Sequence, residues 1–185
     1  MFDRRGNRKY LNWPEREAFR RAVKQDDNPC RRAFGLTLLY TGCRISEGIA
    51  LTGGRVDFTE RALVFETLKQ RERGRYRAIP IPDALVELLQ SILAEKISDG
   101  RVWPYSRTTA YRLIKHYMAE ANIEGVKASP KGLRHSFAIA CISRGIPLTT
   151  VRKWLGHARL ETTAIYLDAG GDEERELAKR LWREG

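Results

Sequence analysis

Five side chains that suit phosphate chemistry are spread along this chain, and four of them are basic. They are Arg44, Lys69, Arg134, His157 and Tyr166. Moving a phosphoryl group between two alcohols needs positive charge on the non-bridging oxygens, an in-line nucleophile and a proton for the leaving group. Arginines supply bidentate charge, a tyrosine hydroxyl attacks phosphorus, and lysine or histidine moves protons. Because no Asp/Glu cluster is placed for magnesium, these residue types favour phosphoryl transfer without a metal or another cofactor.

The segment SPKGLRHSFAIA indicates where a phosphate would lie. Ser129 suits a helix N-cap, and Lys131, Arg134 and His135 follow at i, i+3 and i+4 on one face. The rest of the run is apolar nearly all the way round, which is typical of a buried helix. Since a helix N-terminus already favours anions, the added positive charge predicts a phosphate-binding site there.

Composition favours a polyanionic partner over a membrane. The 185 residues carry a formal net charge of +11 at pH 7, and 42% are hydrophobic. From Gly125 to Leu160 there are seven Lys/Arg and two His but no acid, which predicts a nucleic-acid footprint. Three cysteines without CxxC spacing favour neither a disulfide framework nor zinc. Because no signal peptide or membrane-spanning run is seen, we expect a cytoplasmic, nucleoid-associated protein.

The hydrophobic patterns predict the elements that must position these residues. Helical patterns begin near Pro14, Pro29 and Arg44, and two β-rich runs, ALVFETLK and RYRAIPI, follow them. The polar segment QRERG joins the two runs as a hairpin turn, and helical patterns then continue to the C-terminus. The predicted fold class is therefore α+β and mainly helical, with a small antiparallel sheet between helical segments.

Taken singly, each residue also has an ordinary structural interpretation. An arginine at a helix start is usually a surface or salt-bridging residue, and a tyrosine in an apolar helix is more often an aromatic at the core edge. His157 could cap the preceding helix, and His116 and His135 fit surface and structural positions. Only the joint order and spacing of the basic residues and Tyr166 favour chemistry.

In that order the motifs resemble the catalytic domain of the tyrosine recombinases, or phage integrases, from about Tyr10 to Trp182. TGCRISE resembles the first arginine box, with Arg44 catalytic and Glu47 supporting it. The hairpin TLKQRERGRYRAIPI resembles the one that carries the catalytic lysine, here Lys69. SPKGLRHSFA resembles the second box and LGHARLETTAIYL the last. These two boxes place Arg134, His157 and the nucleophile Tyr166, with His135 in a supporting position.

The resemblance implies that Tyr166 cleaves a DNA strand to give a 3′-phosphotyrosine and a free 5′-hydroxyl, without ATP or metal. Arg44, Arg134 and His157 would hold the phosphate, and Lys69 would protonate the leaving oxygen. Lys131 stands where the family usually has histidine and would assist Tyr166 deprotonation or phosphate binding. The related type IB topoisomerases carry lysine at that position.

The expected organisation is a basic, poorly ordered arm over residues 1–11, the catalytic domain over 12–171 and a tail helix over 172–185. The usual N-terminal clamp domain is missing, so we expect a minimal form or a fragment. The expected partners are duplex DNA, further copies of the chain in a dimer or tetramer on DNA, and a separate protein that supplies the clamp. Predicted DNA contacts are Arg71, Arg73, Arg75, Arg77, Arg107, Arg112, Arg152 and Lys153.

Two other functions fit the same residues. PLTTVRKWLGHARLETTAIYL could form a helix-turn-helix, so a non-catalytic or regulatory DNA-binding module derived from the family is one alternative. A strand-passing enzyme similar to type IB topoisomerases, without site specificity, is the other. Integration, excision and dimer resolution all fit the same residues.

Overall fold

A computed structural model describes residues 1–67, 74–94, 100–167 and 179. The helices are α1 (Trp13–Lys24), α2 (Pro29–Thr41), α3 (Ile45–Ile49), α4 (Asp83–Leu93), α5 (Arg107–Glu120), α6 (Pro130–Ser143), α7 (Leu148–Leu155) and α8 (Glu161–Ala164). The strands are β1 (Val56–Asp57), β2 (Ala62–Glu66) and β3 (Tyr76–Pro80). The predicted mainly helical α+β fold is thus confirmed. None of the helices in these ranges is long and apolar enough to cross a membrane.

The sheet has the order β1-β2-β3 with both pairs antiparallel. Leu63 pairs with Ile79, and both are buried. Exposed and buried residues alternate along β3, as a half-buried strand requires. β3 packs against α7, and β2 packs against α3. The sheet therefore lies beside the two helices whose ends carry Arg44 and His157. The tip of the predicted hairpin, with Lys69, Arg71 and Arg73, lies outside the described residues.

The core is built around α2, which is buried along most of its length and packs against α1, α4 and α6. Phe34 of α2 meets the rings of Trp103 and Tyr105 edge-on. A second cluster lies between α6 and α7 and includes Phe137, Leu155 and Tyr166. This second cluster forms the floor under the predicted phosphate site.

Within the predicted basic arm over residues 1–11, Phe2 and residues 4–7 are exposed, whereas the end of the segment is packed into the core. Asp3 accepts hydrogen bonds from the backbone N–H groups of Arg5 and Asn7, which closes a turn. Tyr10 and Leu11 are then buried in the two clusters, just before the Asn12 cap of α1. Burial of these two apolar side chains anchors the end of the segment.

A glycine at the end of α2 allows the chain to turn toward Arg44. Gly42 has φ of 58°, and a Cβ there would lie 2.5 Å from Cδ1 of Phe137. Gly125 has φ of 75° but open space around its Cα. We expect Gly125→Ala to cost about 1 kcal/mol from the left-handed backbone alone. Gly42→Ala should cost about 3 kcal/mol or more, because overpacking adds to that strain.

Urea unfolding of the two variants at pH 7 tests this difference, with Gly125→Ala as the control for backbone strain. Equal losses of unfolding free energy would show that the Phe137 side chain moves aside at no cost in stability. In that case the close packing of α2 against α6 would not fix the turn that leads to Arg44.

Candidate active site

A cleft of about 600 Å³ opens where the N-terminal ends of α3 and α6 meet the turn after α7 and the end of α8. Six residues of the predicted catalytic and supporting set line it, namely Arg44, Lys131, Arg134, His135, His157 and Tyr166. These side chains come from parts of the chain more than 120 residues apart. The fold therefore brings together the predicted phosphate-binding residues and the predicted nucleophile.

Arg44 stands at the start of α3 and is fixed by Glu47. Its backbone N–H donates to Glu47 Oε2 and its Nη1 donates to Oε1, both at 2.8 Å. Burial alone would raise the pKa of Glu47, but the charge of Arg77 and the hydrogen bonds it accepts outweigh burial and lower it. Glu47 is thus an anion held by two arginines. In the described ranges no group of three or more His, Cys, Asp or Glu is placed to hold a metal.

Arg134 is buried at the first turn of α6, with 8% of its surface exposed. Its Nη1 donates to the Gly42 carbonyl at 2.9 Å and its Nη2 to the Leu155 carbonyl at 2.6 Å. Burial and the nearby charge of Arg44 lower its pKa to about 10, so it keeps its charge at pH 7. Arg134 therefore joins the ends of α2 and α7 and directs a fixed positive charge toward the cleft.

Tyr166 follows α8, and its hydroxyl is joined to His135. The Tyr166 Oη and His135 Nδ1 lie 3.0 Å apart, and only 2% of the tyrosine is exposed. Burial raises the pKa of Tyr166, although the charges of Arg134 and Arg44 oppose the rise. His135 Nε2 is buried and makes no hydrogen bond to any residue that the structure describes. A neutral phenol thus rests on a neutral imidazole.

His157 follows the left-handed Gly156 that ends α7. Its Nδ1 lies 2.9 Å from Thr163 Oγ1, and its ring stacks near-parallel to that of Tyr166, 13° from coplanar with centroids 6.3 Å apart. Burial and the charges of Arg134 and Arg44 lower its pKa to about 4. The histidine is therefore neutral at pH 7 and is held by α8.

Two of the lining residues extend the basic character of the cleft beyond the predicted catalytic set. Arg107, at the start of α5, was predicted to contact DNA, whereas Lys9 was assigned to the arm and missed. The apolar pair Tyr10–Leu11 directly before the Asn12 cap was the signal for an anchored segment. Lys131 is exposed at the rim, where it can donate to a phosphate.

The structure changes our interpretation of one predicted DNA contact. Arg77 is buried, and its Nη2 donates to Glu47 Oε2 at 2.6 Å, so it does not face solvent and we withdraw it as a DNA contact. Arg75, Arg107, Arg112 and Lys153 are exposed, and Arg152 is half-buried. Strand alternation places Arg77 on the same face as the buried Ile79, a signal that the sequence did contain.

The buried histidines predict lower stability in mild acid. The pKa of His135 is lowered to about 4 by burial and by the charges of Lys131 and Arg134, and that of His157 is also about 4. An unfolded histidine titrates near 6.5, so below this pH the unfolded chain binds more protons than the folded one. The free energy of unfolding should therefore fall as the pH decreases from about 6.5 toward 4.

Urea unfolding at pH 7 and pH 5.5 measures this loss. His135→Gln should reduce the difference between the two pH values, and His116→Gln, on the exposed face of α5, is the matched control that should leave it unchanged. A free energy of unfolding that does not change between these pH values would contradict the neutral state of the buried histidines.

Comparison with known proteins finds sequence similarity over most of the chain. The residue pattern that defines the phage integrase family matches residues 10–171. The tyrosine recombinase XerA of Pyrococcus furiosus is 32% identical over 162 residues, covering 80% of this chain and 54% of the relative. XerD of Vibrio cholerae is 30% identical over 156 residues, covering 77% and 50%. The chain thus spans about half the length of these curated relatives.

Solved structures share the fold. The crystal structure of XerA recombinase superposes with a TM-score of 0.80 at 24% identity, covering 95% of this chain and 66% of that one. XerH site-specific recombinase, bound to difH substrate in a pre-cleavage complex, gives a TM-score of 0.74 at 22% identity, covering 95% and 55%. The architecture described above is therefore shared with these recombinases.

Proposed function

This chain belongs to the phage integrase family, and we propose that it cleaves and rejoins DNA strands at specific sites through a 3′-phosphotyrosine. The observation that carries the proposal is the convergence of Arg44, Arg134, His157 and Tyr166 on one cleft. The relatives named as tyrosine recombinases support it. Two fixed guanidinium groups beside a buried tyrosine hydroxyl match the charge and the nucleophile that phosphoryl transfer needs.

In the proposed step the nucleophile loses one proton and the leaving oxygen gains one. Tyr166 Oη attacks the scissile phosphorus as its proton passes to His135 Nδ1, the atom 3.0 Å away. The bond from phosphorus to the 5′-oxygen breaks, and the leaving oxygen takes a proton from Lys69, which lies outside the described residues. Reversal by a 5′-hydroxyl restores the phosphodiester and the tyrosine. The bond energy is kept in the ester, so no ATP is consumed.

Positively charged side chains would balance the negative charge on the non-bridging phosphate oxygens during this step. Arg44 and Arg134 would contact the non-bridging oxygens, His157 would donate a hydrogen bond, and Lys131 would contact the phosphate from the rim. Fixed donors are effective here because they need no reorganisation as charge develops. The supporting role of Glu47 would then be to hold Arg44 in place through its two 2.8 Å hydrogen bonds.

Further basic residues, all of them exposed in the described ranges except the half-buried Arg152, would bind the phosphates of duplex DNA. This set comprises Arg75, Arg107, Arg112, Arg152 and Lys153. Arg71 and Arg73 of the predicted hairpin, which lie outside the described residues, are proposed contacts as well. Arg112→Ala should weaken retention and flatten the slope of log affinity against log salt by about 1. Arg31→Ala is the control, because Arg31 pairs with Asp26 at 3.0 Å and does not line the cleft. Filter binding from low to moderate salt measures the slopes of both variants. Equal slopes would count against Arg112 as a phosphate contact.

Assembly on DNA is part of the same proposal. Members of the family often pack a C-terminal tail onto a neighbouring subunit, and Leu177, Leu181 and Trp182 are the apolar tail residues here. All three lie outside the described residues. We expect dimers or tetramers on duplex DNA and a location with the nucleoid. A tail-deleted chain that assembles on DNA as well as the intact chain would refute the role of the tail.

Covalent trapping tests the function. The full chain is incubated with a pool of nicked duplexes whose centres are randomised, and the products are separated on a denaturing gel. We expect an adduct that survives denaturation, and sequencing the trapped strands should show a preferred site. Salt-sensitive binding without any adduct would instead support a non-catalytic module, and an adduct without sequence preference would support a topoisomerase-like enzyme.

A further inference from the structure

Arg77 is buried and donates a hydrogen bond from each of its three guanidinium nitrogens. Its Nη2 donates to Glu47 Oε2 at 2.6 Å, its Nε to the Trp154 carbonyl at 2.7 Å, and its Nη1 to Thr67 Oγ1 at 3.1 Å. The guanidinium also lies over the ring of Phe65, 5.6 Å from its centroid. One buried side chain on β3 thereby contacts α3, the end of α7 and the end of β2.

Two of these contacts, to Glu47 and to the Trp154 carbonyl, lead to residues proposed to act on the phosphate. Glu47 holds the guanidinium and backbone of Arg44 with its two oxygens. Trp154 is in the last turn of α7, three residues before His157 and next to Leu155, whose carbonyl accepts from Arg134. Arg77 therefore contacts Glu47, which holds Arg44, and the end of α7, which holds Arg134 and precedes His157. Arg77 does not itself line the cleft.

Close packing fixes the turn that carries His157 against the same guanidinium. Gly156 has φ of 64°, and a Cβ at that position would lie 3.0 Å from Arg77 Nη1 and 3.1 Å from its Cζ. The backbone of the turn thus rests directly on the planar group. A lysine has neither the plane nor the fork of donors that this arrangement uses.

Stability alone does not account for such a pair. Exchanging a buried ion pair for apolar residues of similar volume is often neutral or stabilising. The side-chain exposure of Arg77 is 4% and that of Glu47 is 0%, so desolvation opposes much of the Coulombic gain. The arrangement instead fixes the orientation of the guanidinium relative to its neighbours, because three donors meet three acceptors on separate elements.

We propose that Arg77 is a positioning residue that sets Arg44, through Glu47, and His157, through the end of α7, for contact with the scissile phosphate. The inference rests on the proposed function. In its absence the arginine and histidine would lie within the cleft but out of alignment with the phosphate oxygens. A misplacement of about 1 Å costs about 100-fold in rate.

The test compares Arg77→Lys and Arg77→Met with wild type in single-turnover adduct formation on nicked duplexes. Two substrates are used, one with the normal scissile phosphodiester and one with a neutral methylphosphonate, which lacks the charge that Arg44 would balance. Arg44→Ala is the reference. Arg55→Lys is the matched control, because Arg55 pairs with Glu66 on the same sheet at 3.4 Å and does not line the cleft.

On the phosphodiester, Arg77→Lys should form adduct about 100-fold more slowly than wild type, with unchanged duplex retention. On the methylphosphonate the deficit should shrink, as for Arg44→Ala, because the misplaced charge is no longer needed. If Arg77→Met fails to fold, the result for Arg77→Lys decides.

An equal deficit on both substrates would show a merely structural role and overturn the inference, as would normal rates on the phosphodiester. These outcomes leave the proposed function intact as long as wild type forms an adduct that Tyr166→Phe does not form. A wild-type chain without that adduct would overturn both proposals.

Discussion

Tyr166→Phe is expected to abolish covalent capture of DNA while the duplex is retained as by wild type. The change removes one hydroxyl and keeps the ring, so the near-parallel stack on His157 and the packing in the second cluster should persist. What is lost is the only atom of that side chain that can attack phosphorus. Loss of the same hydroxyl leaves His135 Nδ1 buried without its hydrogen-bond partner. The free energy of unfolding should therefore fall by about 1–3 kcal/mol.

Adduct formation on a denaturing gel and duplex retention on a native gel measure the two effects separately. Tyr117→Phe is the matched control, since Tyr117 is also buried and its hydroxyl donates to Asp26 Oδ2 at 2.8 Å, away from the cleft. That variant should lose stability and keep its adduct. Adduct formed by Tyr166→Phe at the wild-type rate would exclude this tyrosine as the nucleophile.

Arg134→Met is expected to lower the rate of adduct formation by about 100- to 1000-fold, the usual cost of removing a fixed donor from a developing oxyanion. Its carbonyl partners on Gly42 and Leu155 would lose their buried donors, so stability should fall as well. Single-turnover rates, corrected for the folded fraction, separate the two losses.

Arg16→Met provides the control for that separation. Arg16 is also a buried arginine, and it donates to Ser136 Oγ at 2.9 Å and to the Leu39 carbonyl at 3.4 Å without lining the cleft. Burial lowers its pKa to about 10, as it does for Arg134. We expect Arg16→Met to destabilise the chain without changing the rate of the folded fraction. Equal rate losses in both variants would contradict a direct role for Arg134.

Local patterns were sufficient to predict the fold because most of its elements are defined by local physics. Caps at Asn12, Asn28 and Ser129 begin three helices where the sequence places them, each with a backbone N–H donating to the capping side chain. Period-2 burial also marks β3. The burial of Tyr10 and Leu11 at the end of the N-terminal segment was missed because its basic residues were given more weight.

The site was predictable as a set of residue types but not as a geometry. The contact between His135 and Tyr166 joins residues 31 positions apart, and no local period records it. Arg77 was misplaced for a related reason, since its position in a run of basic residues concealed the strand alternation that buries it. Contacts that depend on how β3 meets α7 need the tertiary structure.

Tyr166 is proposed to become covalently joined to DNA, and mapping the position of that bond in the protein would test this. The adduct trapped on a nicked duplex is digested with protease and nuclease, and the modified peptide is sequenced by mass spectrometry. We expect a nucleotide on Tyr166 alone, linked through its 3′-phosphate, with a free 5′-hydroxyl on the released strand. A nucleotide on another residue, a 5′-phosphate linkage, or strand cleavage without any protein adduct would contradict it.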